Sequence, residues 1–283
     1  MSFLNILEKI VSYKKEEVRK KKTDLPVLLL EKLPGFEREI LSMQKFLRDP
    51  GKTGIIAEFK RKSPSKGIIN GVATVEDVTA AYAGHGASAI SVLTDTPSFG
   101  GSSDDLIGAR FNALPILRKD FMVDVYQIIE SRALGADSIL LIAACLRPDE
   151  TKSLAAMAHQ LGLEVLLEIY EESELDHLCD DVDIVGINNR DLKTFTVDID
   201  RSIRMAQRLP PGKLRIAESG IRDVDTLLHM KSAGFDGFLI GEQFMCAPDP
   251  AIAFASFTDQ LKTKLYESKS LRYDATRSDK EAG

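Results

Sequence analysis

Eight times between residues 54 and 261 a short apolar run gives way to an amphipathic stretch at helical spacing. The runs fall at 54–60, 88–93, 114–119, 137–142, 163–168, 183–188, 214–218 and 236–240. Most are apolar nearly throughout, rather than alternating as a strand with one wet face would. Strands apolar on both faces belong to parallel sheets covered by helices. The intervening stretches supply those helices, near 74–84, 103–111, 124–134, 149–160, 172–178, 198–207, 222–232 and 249–261. Thr74, Asp124, Ser173 and Asp198 stand where caps or first-turn acids belong, and Gly86, Gly135 and Gly234 where helix-ending glycines belong. A doubly wound sheet usually needs fewer units, whereas eight suit closure. The predicted fold is α/β, a (β/α)8 TIM barrel.

Two extra helices are expected before the barrel. Phe3, Leu4, Leu7, Ile10 and Val11 recur at helical spacing over residues 2–22, and the second half, KKEEVRKKK, reads as a solvated charged face. A second helix is expected over 36–47, with Ile40, Leu41, Met43 and Leu47 inward and Asp49-Pro50-Gly51 ending it. From about Lys262 the chain turns polar. Residues 1–262 are therefore read as one barrel domain with a helical extension over 1–50, and 263–283 as a frayed, disordered tail, into which Leu265 and Tyr266 could still extend the last helix.

Composition excludes several classes. A net charge of −6 does not suit a general nucleic-acid binder. No apolar run reaches the roughly 18 residues of a membrane span, and Glu8 and Lys9 interrupt what would be a signal peptide. Cys145, Cys179 and Cys246 are odd in number and widely spaced. They fit neither a disulfide framework nor a zinc site, so a reduced, cytoplasmic setting is expected.

In such a barrel, chemistry collects where strands end. Glu58 and Lys60 sit two residues apart and share a strand face that should be core. Lys119 ends the third run, Glu168 the fifth, Asn188 and Arg190 the sixth, Glu218 and Ser219 the seventh, Gly241 and Glu242 the eighth. Arg118 and Asp120 alternate with Lys119 and read as solvated. An unpaired carboxylate at Glu168, among Val165, Leu166, Leu167 and Ile169, would cost several kcal/mol, so the lysines are its natural partners. A second lysine nearby, or partial burial, would pull one lysine pKa down toward the range of a useful proton donor. His85, His159, His177 and His229 all fall in or beside helices, and no Ser/His or Cys/His pair is evident. No metal-ligand cluster or dinucleotide fingerprint appears, so no metal or cofactor is expected. Ser219-Gly220 and Gly241 are small and open turns whose N–H groups suit a phosphate. Lys60 and Ser63, on the neighbouring first strand, can reach it. The expected partner is a phosphorylated small molecule, with no nucleic acid and no membrane. The basic loop of Lys62, Ser65, Lys66 and Gly67 around Pro64 is a candidate lid or, equally, a static polar turn.

The segments IAEFKRKSPSKG, SVLTD, LRKDF, LLEIY, GINNRDL, AESGI and IGEQFM, in that order, closely resemble the indole-3-glycerol-phosphate synthases of tryptophan biosynthesis, over roughly residues 3–260. The resemblance implies a carboxy-lyase that closes the ring of 1-(2-carboxyphenylamino)-1-deoxyribulose 5-phosphate with loss of CO2 and water. It implies Lys119 as general acid and Glu168 as general base. Lys60 would serve either proton transfer or the phosphate, with Glu58 and Asn188 as organisers. By the same resemblance Arg190 and Ser63 lie near the substrate carboxylate and hydroxyls. Ser219, Gly220, Gly241 and Glu242 (through its N–H) take the phosphate, and Phe99, Phe121, Leu140 and Leu192 surround the aromatic ring. Gly100 departs from the larger polar residue that many relatives carry. The chain is too short for a fused phosphoribosylanthranilate isomerase barrel, so one activity is expected, in a monomer, with a weak homodimer as the alternative.

Overall fold

The computed structural model describes residues 6–191 and 194–281, with side chains described to residue 268. Eight parallel strands form a closed barrel: β1 Ile55–Phe59, β2 Ala89–Leu93, β3 Ile116–Lys119, β4 Ser138–Ile142, β5 Glu164–Ile169, β6 Ile184–Asn188, β7 Leu214–Glu218 and β8 Gly237–Ile240. Each pairs with its neighbours in sequence, and β8 closes on β1. Every boundary falls within two residues of the apolar run that announced it. The inward positions begin apolar: Ile56, Leu117, Leu140, Leu166, Ile184, Ile216 and Leu239 share one buried cluster. Two residues further along their strands, period two puts Glu58, Lys119, Glu168 and Glu218 on the same inward face. The interior therefore switches from aliphatic to charged within one layer of side chains.

The N-terminal segment has three helical pieces, α1 Ile6–Asp24, α2 Val27–Leu30 and α3 Met43–Arg48. The helix expected over 36–47 is confined to its last part. Asp137 at the start of β4 accounts for this, because it pairs with Arg38 and accepts the Leu41 N–H at 2.8 Å. A chain tethered there cannot also form helical bonds. Ser42 caps α3 and donates its hydroxyl to Glu164 at 2.5 Å. Met43 and Leu47 then plug the barrel floor. A Cβ on Gly237 would sit 2.9 Å from the end of the Leu47 side chain and 3.0 Å from Ile216, so glycine here leaves room for the plug.

Three further features differ from expectation. The stretch after β5 is a 3₁₀ segment, Glu172–His177. The basic loop after β1 folds into a small hairpin pairing Lys62–Ser63 with Gly67–Ile68. The last helix runs Pro250–Glu281 instead of fraying at 262. Its sequence has no Gly or Pro between 251 and 281, and its Ala, Lys and Leu residues sustain a helix. Among the described residues no helix is long and apolar enough to cross a membrane.

The charged half of α1 is largely solvated, with Lys15, Glu16, Arg19, Lys20 and Lys22 exposed, but Lys14 is an exception. Leu7, Ile10, Lys14 and Val18 recur at helical spacing and are all buried. The Lys14 ammonium is fully buried, 2.9 Å from Glu17 and 3.0 Å from both Asp95 and Asp120. Arg118 and Asp120, expected in solvent, are buried beside it. Arg118 donates to Glu130 at 2.7 Å, to Thr94 and Ser131 at 3.1 Å and to Asp120 at 3.3 Å. Burial works against the Lys14 charge, but Asp120 and Asp95 outweigh it and raise its pKa. Asp95 also caps the Thr96–Phe99 turn and accepts the Tyr13 hydroxyl at 2.6 Å. One buried charge network thus fastens α1 to the ends of β2 and β3, beside Lys119 and below Phe99.

Candidate active site

The cavity at the C-terminal mouth of the barrel encloses about 290 Å³. Its floor is the charged layer. Lys119 ends β3 with its ammonium 2.6 Å from Glu218 and 3.8 Å from both Glu58 and Glu168. Lys60 lies 2.7 Å from the other oxygen of Glu58. Asn188 donates its amide to Glu168 at 2.8 Å, and its own side-chain oxygen accepts the Arg190 N–H at 3.0 Å. Glu58, Glu168, Asn188 and Glu218 are all buried.

The electrostatics overturn one expectation. A neighbouring lysine or partial burial should lower a lysine pKa, yet Lys119 is raised. Burial disfavours its charge, but Glu218, Glu58 and Glu168 together prevail. Three carboxylates around one ammonium outweigh a second lysine that is itself engaged with Glu58. The Glu58 carboxyl is lowered: burial opposes its charge, but Lys60 and Lys119 overcome that penalty. Glu218 goes the other way. Burial, with Glu168 and Glu58 nearby, pushes it up to about 7 despite Lys119. One of its oxygens is buried without a hydrogen-bond partner.

This raised acid has a consequence for stability. The folded state keeps a proton on Glu218 that the unfolded chain loses near pH 4.5. Stability therefore falls as pH rises from there to about 7. Glu218→Gln should remove that part of the decline, so urea midpoints at pH 5 and pH 8 should lie closer together in the variant than in the parent.

One side of the cavity suits an anion. Ser219 and Gly220 both adopt left-handed backbone, with φ of 67° and 73°. A Cβ on Gly220 would meet Val197 at 2.5 Å, and one on Gly241 would meet Glu58 at 2.7 Å. These glycines admit the close approach that side chains would block. Gly241 caps the single turn Glu242–Met245. The Glu242 side chain is 2.9 Å from Lys66 and 3.5 Å from Arg190, which leaves its carboxylate engaged with cations. Ser63 is buried facing the same space. Another part of the wall is apolar. Phe99 and Phe121 lie 6.1 Å apart, tilted by 36°, with Leu140 of β4 and Leu7 and Ile10 of α1 completing it. Gly100 ends the Phe99 turn at φ 65°, a left-handed position that suits glycine.

Glu58, Lys60, Ser63, Phe99, Lys119, Phe121, Leu140, Glu168, Asn188, Arg190, Ser219, Gly220, Gly241 and Glu242 all line this one cavity. Leu192 lies outside the described residues. Glu218, legible in the sequence as a strand-end acid but without a role, makes the shortest contact to Lys119. Phe195, which no sequence pattern singles out, lines the cavity at φ 60°, a strained conformation for an aromatic residue.

Solved structures share the fold at low identity. The chain matches the crystal structure of KGPDC from Streptococcus mutans at TM-score 0.55 and 15% identity, over 74% of this chain and 97% of that one. It matches a mutant tryptophan synthase α-subunit from Pyrococcus furiosus at TM-score 0.57 and 14% identity, over 75% and 99%. Sequence relatives are nearer. The indole-3-glycerol phosphate synthase of Bacteroides thetaiotaomicron is 43% identical over 254 residues, spanning 89% of this chain and 97% of that protein. That of Salinibacter ruber is 43% identical over 256 residues, spanning 89% and 94%. The model of the family described as indole-3-glycerol phosphate synthase matches residues 7–257, and with relatives this similar over nearly their whole length the chain belongs to the indole-3-glycerol phosphate synthase family.

Proposed function

We propose that this protein converts 1-(2-carboxyphenylamino)-1-deoxyribulose 5-phosphate to indole-3-glycerol phosphate, with Lys119 as general acid and Glu168 as general base. The observation that carries the reading is the Lys119 ammonium, ringed by three carboxylates in a cavity with an apolar aromatic wall and an anion cradle. Phosphate held by the N–H groups of Ser219, Gly220, Gly241 and Glu242 fixes the sugar end. Phe99, Phe121 and Leu140, with Leu192, clamp the aniline ring. Held at both ends, the substrate folds so that its ring carbon meets the ketone, which is what ring closure needs.

Lys119 stays charged near neutrality, so it has a proton to deliver to the ketone oxygen as the carbon–carbon bond forms. Loss of CO2 restores the aromatic ring. The hydroxyl created from the ketone takes a proton from a lysine ammonium at the site and leaves as water, while Glu168 removes the proton from the adjacent carbon bonded to nitrogen, so that the indole double bond forms. Asn188, donating to Glu168, keeps that carboxylate aimed at the substrate. Lys60, held by Glu58, stands where it can serve the phosphate or the dehydration. Ser63 and Arg190 meet the substrate hydroxyls and carboxylate. The working unit is read as a monomer. The three unpaired cysteines support a reduced, cytoplasmic setting.

Glu168→Gln keeps the shape and removes the base. It should lower kcat by about a hundredfold or more with little change in KM. A raised KM at parental kcat would make Glu168 a binding partner instead.

A further inference from the structure

Arg201 lies outside the barrel and does not line the cavity. We infer that it is a positioning residue for the Glu168–Asn188 pair, holding the ends of β5 and β6 at the spacing their reaction needs. The inference rests on the reading of Glu168 as base.

The register between β5 and β6 ends at Ile169 opposite Ile187. One residue further, the strand ends are joined by a side chain rather than by the ladder. The two amino groups of Arg201 donate to the carbonyl of Tyr170 and, at 2.5 Å, to the carbonyl of Asn188. A planar guanidinium fork can grip two strands in this way, and a lysine cannot. The Tyr170 ring packs against the fork, whose central carbon is 3.6 Å from the ring centre. The stem is equally fixed. Arg201 sits in the first turn of the helix Ile199–Ala206, and the capping Asp198 side chain accepts its N–H at 2.9 Å. The Asp198 backbone N–H in turn donates to the Asn189 carbonyl at 2.9 Å. The Arg201 Nε is buried with no partner, a desolvation cost that the two strand contacts must offset.

Each gripped carbonyl is close to a reacting group. Asn188 is itself one of the pair, and Tyr170 follows Glu168 by two residues. The 2.8 Å bond between Asn188 and Glu168 spans the same two strands, one step inward. If the strand ends part, the carboxylate turns away from the substrate, and a misplacement of about 1 Å can cost on the order of a hundredfold in rate.

A double-mutant cycle tests this. Arg201→Met keeps the stem and loses the fork. It should lower kcat roughly ten- to hundredfold with KM unchanged. In the Glu168→Gln background the same change should cost about twofold at most, because the group it positions no longer works. Arg201→Lys should fall between methionine and the parent, and it carries the cycle if the methionine variant does not fold. Parental kcat in the Arg201 variants, or equal losses in both backgrounds, would overturn the inference. Parental kcat in Glu168→Gln alone would overturn the base assignment, and the inference with it.

Discussion

Lys119→Met should lower kcat by about a thousandfold, within the range expected for removing a general acid. The variant also removes the cation that three buried carboxylates share. Lys119→Arg separates the two effects. Arginine restores the charge, but its planar guanidinium cannot take the place of the compact ammonium at the ketone oxygen. The arginine variant should therefore fold and bind substrate like the parent and still turn over at least about a hundredfold more slowly. Steady-state kcat and KM, with fluorescence-detected product, check both. If arginine restored turnover, Lys119 would act as a fixed charge and not as a proton donor.

The second large effect is on stability. Lys14→Met should destabilise the fold by about 3–5 kcal/mol, the usual cost of leaving a buried ion pair half broken. Asp95 and Asp120 would lose the ammonium 3.0 Å from each, and neither can reach water without dislodging α1. The aspartate pKa gives the sign with pH. Burial raises Asp120, yet Arg118 and Lys14 hold it below the usual carboxylate range. Its contribution is present at neutral pH and is lost as pH falls through that depressed value. The parent should lose stability on acidification, and Lys14→Met should show a smaller loss from a lower starting point. Urea unfolding at pH 7 and at about pH 3, below the ordinary aspartate value of 3.8, measures both quantities. Equal stability of parent and variant at pH 7 would mean that α1 is held by its apolar residues alone.

These two lysines show what is legible in the chain and what is not. Strands buried on both faces write themselves as apolar runs, so all eight can be placed to within two residues. Period two then shows which charges must point inward once a run is known to be a strand. Glu58, Lys119 and Glu168 are visible for that reason. Which carboxylate comes nearest Lys119 is not, because the stagger of strands around the barrel decides it, and Glu218 wins at 2.6 Å. Lys14, Arg118 and Asp120 read as solvated and are not. Their burial is possible only because partners from α1, β2, β3 and the following helix meet in space, and no local pattern carries that. The same holds for residues 36–42, where Asp137, about a hundred positions away, outcompetes the helix. Cavity residues clustered in short motifs at strand ends are easier to see than Phe195, whose approach depends on the path of its loop.

Ring closure is the step proposed for the charged ring around Lys119. The direct measurement is the appearance of indole-3-glycerol phosphate fluorescence when the purified protein meets 1-(2-carboxyphenylamino)-1-deoxyribulose 5-phosphate. Product should form at a rate proportional to enzyme, with release of one CO2 per product, and the rate should collapse in Lys119→Met. Substrate consumed without CO2 release, or product formed at the parental rate by Lys119→Met, would contradict the account.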